Sequence, residues 1–345
     1  MNLYRSLNKQ VFEIENYKIV PIRFEDRTNI MNWRNEQMYH LRQSKLLTIK
    51  DQDNYFNNII KSEFGKENPN QILFSYLKDD ICIGYGGLVH INWIDNSSEI
   101  SFLMNTELEN EYFELHWTRF LHLIEDVAFQ ELNFYKIFTY AFDLRPNLYK
   151  ILKKSSFENE AILKDHCLFE EKHIDVYIHS KKNKDFLYFR KARADDIKIY
   201  YKWINNPEVR IQSYNSSLVD FESHKNWFES KIKDELYFML IFQNLDKQKI
   251  GQVRIQKIGD KESLIGISVD ENHRGNNHAS RMLNIASKYF LSLNSDFIIN
   301  AFIKVKNLGS EKTFKKAGFE FKQTVVHENS NSFHLIKKIN ENWSI

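Results

Sequence analysis

Apolar and polar positions alternate along the chain in one order of periods, and that order is written twice. Ile19-Val-Pro-Ile-Arg23 is a short strand-like run leading to a helical stretch with Met31-Asn-Trp33-Arg-Asn35. Phe189-Arg-Lys-Ala-Arg193 leads in the same way to Tyr201-Lys-Trp203-Ile-Asn205. Second helices follow at Asp53–Ile60 and Lys225–Ile232. Apolar runs of strand length come next, Gln71–Tyr76 and Tyr237–Phe242, each ending in a polar turn and an Ile-Gly pair, Ile83-Gly84 and Ile250-Gly251. One more strand in each half, Glu99–Met104 and Leu264–Val269, precedes a long amphipathic helix. The apolar stripe of the first is Phe113, Trp117, Phe120, Leu121, Ile124, Val127 and Ala128. That of the second is Ala279, Met282, Leu283, Ala286, Tyr289, Phe290 and Leu293. Both have helical spacing and predict core faces packed on a sheet. Each half closes with a strand, a short helix ending in Lys-Lys-x-x-Phe (Lys153–Phe157, Lys315–Phe319) and a final strand pair.

A repeat of this length predicts two α/β (α+β) domains in tandem, residues 1–180 and 186–345, each a mixed, mostly antiparallel sheet flanked by helices. The polar run Ser180-Lys-Lys-Asn-Lys-Asp185 is expected to be the linker. At 345 residues each half can bury its own core, and 42% hydrophobic with 14% aromatic residues supplies the material. A net charge of +2 gives no field that would argue for nucleic-acid or membrane-surface binding. Cys82 and Cys167 lack metal or redox spacing and are expected to be buried free thiols, with no metal site. Residues 1–17 contain no apolar stretch of signal-peptide length, and no uncharged run approaches a membrane span, so a cytoplasmic location is expected.

Chemistry concentrates in the second half. After the strand ending at Val269, Asp-Glu-Asn-His-Arg274-Gly275-Asn276-Asn277-His278-Ala279-Ser280 opens the amphipathic helix. A strand feeding a small-residue turn into a helix N-terminus presents unpaired N–H groups and the positive end of the helix dipole to an anion. The same string also fits an ordinary strand-to-helix loop. A second motif weighs against that reading: Asn307-Leu-Gly-Ser310-Glu-Lys-Thr-Phe314-Lys-Lys-Ala-Gly318-Phe319.

In order and spacing, these two motifs resemble the pyrophosphate loop and the Asn-x-x-Ser-x-x-x-Tyr-x-x-x-Gly-Phe helix of the GNAT N-acetyltransferases. The resemblance covers about Phe186 to Lys338. It implies an acyl-coenzyme A co-substrate held by backbone N–H groups of Arg274, Gly275, Asn276, Asn277, His278, Ala279 and Ser280. It also implies that the strand carrying Ile267 and Val269 pairs with the pantetheine amides, and that Asn307 and Ser310 bond the pantetheine arm. Phe314 stands where many members have the Tyr that protonates the leaving thiolate, and Leu264 where they often have a Glu base. His224 is the candidate base of this half, though it fits a structural histidine better.

The first copy is degenerate. Its loop Asn105–Glu114 has no glycine and four carboxylates, and Arg145, Leu148 and Ser156 replace Asn307, Ser310 and Gly318, so it is not expected to bind coenzyme A. Trp33, Arg34, Asn35 and Glu99 are its candidates for a wall or an acceptor site. Trp203-Ile-Asn205-Asn206-Pro207-Glu208-Val209-Arg210 resembles a segment of a GNAT branch that includes ribosomal-protein acetyltransferases and acetyltransferases of nucleotide-linked amino sugars. The resemblance implies N-acylation, with acetyl or 3-hydroxybutyryl, of a dTDP- or UDP-linked amino-dideoxy sugar for surface polysaccharide. Trp203, Asn205, Asn206, Arg210 and Tyr214 are the expected acceptor residues, with Tyr201 and Trp93 as further candidates for stacking. A protein acetyltransferase and a non-catalytic coenzyme A-binding protein are the alternatives.

Overall fold

The computed structural model describes residues 2–339, so the outer ends of the two expected domains, residue 1 and residues 340–345, lie outside the described residues. The chain divides into two compact units between Lys184 and Asp185. Unit 1 contains β1 (Phe12–Ile14), β2 (Tyr17–Pro21), α1 (Arg27–Glu36), α2 (Ile49–Asn54), α3 (Lys61–Phe64), β3 (Ile72–Lys78), β4 (Ile81–Asn92) and β5 (Ser97–Met104). It continues with α4 (Thr106–Glu111), α5 (Phe113–Glu125), β6 (Lys136–Phe142), α6 (Pro146–Lys154), β7 (Glu158–Phe169) and β8 (Lys172–Lys182). A π-helical stretch joins α2 to α3, and another extends α5. Unit 2 contains β9 (Tyr188–Lys191), α7 (Ile197–Ile204), α8 (Pro207–Gln212), α9 (Phe221–Lys231), β10 (Tyr237–Gln243), β11 (Lys249–Lys257) and β12 (Glu262–Val269). It ends with α10 (His278–Leu293), β13 (Ile298–Lys304), α11 (Leu308–Lys316), β14 (Glu320–His327) and β15 (Ser330–Lys337).

Each unit has its own sheet, in the order β1-β2-β3-β4-β5-β6-β8-β7 and β9-β10-β11-β12-β13-β15-β14, so β1 alone lacks a counterpart. All neighbours run antiparallel except β5–β6 and β12–β13. The tandem, mostly antiparallel architecture is therefore as the periodicity predicts. The linker is not. Ser180–Lys182 belong to β8 and pair with β6, while the buried Asn183 amide donates to the Phe134 carbonyl oxygen at 3.0 Å. A polar run reads as a linker only when its backbone is exposed, and here the backbone of Ser180–Lys182 is still paired within the sheet. Among the described residues no helix is long and apolar enough to cross a membrane.

The amphipathic stripes pack as expected. Trp117, Phe120, Leu121 and Ile124 of α5 fill the core of unit 1, and Met282, Leu283, Ala286 and Phe290 of α10 that of unit 2. The repeated Ile-Gly allows close approach: a Cβ on Gly251 would sit 2.4 Å from the Ser268 oxygen and 2.9 Å from the Met282 methyl. On the opposite face of the second sheet, Tyr200, Trp203 and Phe228 of α7 and α9 cover Met239 and Ile241.

Candidate active site

The parallel pair β12–β13 holds together for only three residue pairs, Glu262–Ile298, Ser263–Ile299 and Leu264–Asn300. From Ile265 to Val269 no strand pairs with β12 on that side, so its backbone groups border a V-shaped opening. The extended run is broken at Asp270, whose carboxylate caps a single 3-10 turn by accepting from the Asn272 N–H. The chain then reverses through Gly275, with φ +81°, and Asn277, with φ +60°. Glycine takes this left-handed conformation without steric cost, and Asn better than most residues, so both positions can hold the turn.

Asn277 starts α10 without capping it. Its Oδ1 accepts from the Ser280 hydroxyl at 2.7 Å and makes no bond to the N–H groups of the first turn. At α9, by contrast, Asp220 caps the Ser223 N–H, and at α11 Asn307 caps the Ser310 N–H at 3.1 Å. A sixteen-residue helix thus points an uncapped, positive N-terminus at the mouth of the opening. Arg274 spans the rim. It reaches the Val269 oxygen through Nε at 3.2 Å, the Asn206 side chain through Nη2 at 3.0 Å, and Glu208 through Nη1. His278 is buried on the same turn, where burial lowers its pKa. Asn307 and Ser310 open α11, whose ring Phe314 is in the core, edge-on to Phe319 at 5.0 Å. Two expected cofactor positions differ in kind from the rest: Ile267 and Val269 also pack on the core of unit 2.

Several expected acceptor residues are structural instead. Trp203 is buried and donates its Nε1–H to Asp270 at 2.9 Å, so its faces are not open for stacking. Asn205 brackets Val219, accepting from its N–H and donating to its carbonyl oxygen, both at 2.9 Å. Asn35 brackets Leu47 in the same way in unit 1. The repeated Trp-x-Asn is therefore a device that fixes the loop after the first helix. Asn206 ties that region to the loop before α10 through Arg274 and Glu271. Arg210 is buried and donates to the Ser217 oxygen at 2.8 Å. Tyr214 is the exception. It is half-buried, bonded to Ser332 at 2.8 Å, and edge-on to His327, which stacks on Phe302 at 4.0 Å. His334 also stacks on Phe302, at 4.6 Å. Tyr201 packs edge-on against Phe221, and Trp93 donates to the Pro69 oxygen within unit 1.

His224 does not border the opening. It is 2% exposed, enclosed by Tyr201, Trp227 and Phe228 between α7 and α9, and burial lowers its pKa. A base there would have no path to a thioester. The imidazole nearer the strand split is His334, whose Nε2 lies 2.7 Å from Asn300 Oδ1, and Asn300 is the register partner of Leu264. Phe302, His327 and His334 were not singled out in the sequence. The available signal was the alternation of Asn300, Phe302 and Lys304 along β13, which puts all three on one face.

In unit 1 the candidates Trp33, Arg34 and Asn35 are likewise occupied: Trp33 in the core, Arg34 donating to the Tyr85 hydroxyl at 2.7 Å. The cysteines are free but half-buried rather than fully buried, and burial pushes the Cys82 thiol up to about 12, which keeps it protonated and inert. Among the described residues no group of three or more His, Cys, Asp or Glu is placed to hold a metal ion.

No curated protein sequence matches the chain. Among solved structures it is similar to a spermidine N-acetyltransferase from Vibrio cholerae in complex with CoA and spermine. The identity is 17%, covering 44% of this chain and 94% of that one, with a TM-score of 0.41. It is also similar to the aminoglycoside acetyltransferase AAC(6')-Ib in complex with coenzyme A and kanamycin, at 15% identity over 44% of this chain and 94% of that one, TM-score 0.39. Acetyltransferase (GNAT) domain models match residues 19–178 and, separately, residues 187–320. The chain therefore belongs to the GNAT acetyltransferases, the acyl-coenzyme A-dependent N-acyltransferases, and carries two such domains in tandem.

Proposed function

We propose that unit 2 transfers an acetyl or 3-hydroxybutyryl group from acyl-coenzyme A to the amine of a dTDP- or UDP-linked amino-dideoxy sugar, in the cytoplasm, for surface polysaccharide. The observation that carries the reading is the uncapped N-terminus of α10 behind the left-handed Gly275 and Asn277, set at the mouth of the β12–β13 opening. In this reading the pyrophosphate takes the N–H groups of residues 274–280. The pantetheine amides take the unpaired edge of β12 from Ile265 to Val269, with Asn307 and Ser310 beside the arm. The neutral amine nitrogen attacks the thioester carbonyl, the C–S bond breaks and coenzyme A leaves as the thiolate, while the proton that the nitrogen sheds on becoming the amide reaches the thiolate by way of solvent. Phe314 has no proton to give and Leu264 none to take, so the nucleophile must arrive neutral. A sugar amine flanked by electron-withdrawing oxygens meets that condition more readily than lysine. Orientation and backbone donors supply the remaining rate.

The test is titration of the full chain with coenzyme A, followed by thiol release from acetyl-CoA over a panel of nucleotide-linked amino sugars, aminoglycosides, polyamines and peptide amines. The reading requires coenzyme A to bind and a nucleotide-linked amine to be turned over with the highest kcat/KM. Preferred turnover of a peptide or polyamine would refute it.

A further inference from the structure

In unit 1 the last residue of β5 to pair with β6 is Glu99, whose register partner is Phe138. Alternation along β6 puts Phe138, Tyr140 and Phe142 on one face of the sheet, and Glu99 stands on that same face at the point where the strands part. The Tyr140 and Phe142 rings are half-buried and meet edge to face, 6.0 Å apart at 89°. Over them lies the guanidinium of Arg42, 4.2 Å from the Tyr140 centroid and 5.2 Å from that of Phe142. Arg42 is an exposed residue of the loop before α2, a loop fastened to Asn35 through Gln43 and Leu47. Its guanidinium forms no ion pair among the described residues. The basic group that meets the Glu99 carboxylate is His90, whose Nε2 is 3.9 Å away on an exposed side chain. The carboxylate itself is 23% exposed, a burial that raises its pKa and that a nearby cation offsets. Rings and carboxylate thus both favour a cation, and Arg42 pairs only with the rings.

We propose that this face of unit 1 binds a small organic cation, an alkylammonium or alkylguanidinium, which displaces Arg42 from the Tyr140 and Phe142 rings and pairs with Glu99. An exposed cation over a ring is a weak tether, so the Arg42 side chain can leave while its loop stays fastened. The incoming cation keeps the ring contact and adds charge-assisted hydrogen bonds to the carboxylate, which Arg42 does not make. Phe138, beside Glu99 on the way to Tyr140, is the apolar contact for the alkyl chain. An anion would meet Glu99 and be repelled. The site binds without transferring: the acidic α4 follows β5 where unit 2 has its left-handed turn, so a bound amine finds no acyl donor in unit 1. The inference is independent of which amine unit 2 acylates.

The experiment titrates the full chain calorimetrically with agmatine, an alkylguanidinium, and with cadaverine, an alkylammonium. The expected result is binding of at least one of them, about fivefold tighter in Arg42→Ala, which removes the resident cation, and about tenfold weaker in Glu99→Gln and in Tyr140→Leu. The thermal unfolding transition should be the same in Arg42→Ala and Glu99→Gln as in the wild type. If Tyr140→Leu unfolds, Glu99→Gln, which keeps the size and shape of the side chain, decides. Failure of both probes to bind Arg42→Ala overturns the inference, as does an affinity that removal of Arg42 leaves unchanged or lowers, or that Glu99→Gln leaves unchanged. Binding of inorganic phosphate that Arg42→Ala abolishes would also overturn it, since Arg42 would then be a ligand for anions.

Discussion

The two units share strand order, helix order and the brief parallel pairing, and differ in what fills the opening that follows it. Both β5–β6 and β12–β13 pair over three residues and then part. In unit 2 the next turn is left-handed and the helix behind it is uncapped. In unit 1 Asn105, at the place of Asp270, makes the same kind of bond, accepting from the Glu107 N–H at 2.9 Å, but a short acidic helix, α4, follows it in place of the left-handed turn. The Met104 oxygen, at the place of Val269, accepts from the buried Gln37 amide at 2.8 Å. Arg145, at the place of Asn307, pairs with buried Glu109 at 3.0 Å and lies over the Phe113 and Trp117 rings. The first copy has thus not merely lost glycines. Its own side chains occupy the place that the proposed cofactor opening has in unit 2. The base position shows the reverse trade: Glu99 of unit 1 occupies the register place of Leu264, half-buried, its pKa raised by burial and opposed by His90 and Arg42. One copy keeps a carboxylate and no cofactor loop; the other keeps the loop and no carboxylate.

The sharpest way to break this contrast is Gly275→Glu. A Cβ at φ +81° is strained, and a carboxylate there meets the site meant for pyrophosphate, so coenzyme A binding should fall below detection in calorimetry. The wild type should bind one equivalent per chain; two equivalents would mean that unit 1 is not filled as described. Next in size is Glu109→Ala, which strands Arg145 half-buried among rings. Unit 1 should lose about 3 kcal/mol in denaturant unfolding, while the affinity of unit 2 for coenzyme A stays the same. A parallel loss of coenzyme A binding would show that the first copy supports the second directly.

The repeat, the element order and both motifs of unit 2 were legible because they depend on local period and on turn chemistry read in one direction along the chain. The filling of unit 1 was only half legible. The acidic loop and the Arg145 replacement are visible, but that Arg145 answers Glu109, 36 positions earlier, appears only once α4 and α6 are side by side. Trp203, Asn205 and Arg210 misled for a related reason: polar and aromatic groups at a helix end read the same whether they face a ligand or a neighbouring loop.

A smaller effect tests how unit 2 holds its first strand and helix. Burial of Asp196 works to raise its pKa, but hydrogen bonds from Arg190, Lys249 and the Arg193 N–H outweigh it and hold the group at about 2, against an ordinary 3.8. A folded-state pKa below the unfolded one gives stability that is complete above about pH 4 and lost as pH falls towards 2. The contribution is about 2 kcal/mol. Asp196→Asn should lower unit 2 stability at pH 7 by that order and flatten its acid limb. An unchanged slope between pH 4 and 2 would show that the cluster does not control acid unfolding.

The smallest effect concerns the base. With Phe314 in the core and Leu264 at the strand split, unit 2 offers neither of the usual proton carriers there, and His224 is walled in by rings between α7 and α9. If the acceptor amine supplies its own neutral fraction, the rate should climb with pH along the amine's titration and then level off, with no enzyme group in the profile. His224→Asn should then cost less than about tenfold in kcat, below the hundredfold or more that follows loss of a general base. A further limb in the profile that His334→Gln removes, with both substrates still bound, would instead give the role to the imidazole that meets Asn300. Loss of most activity in His224→Asn with binding intact would require α7 and α9 to open during turnover, since only then does that ring reach the strand split.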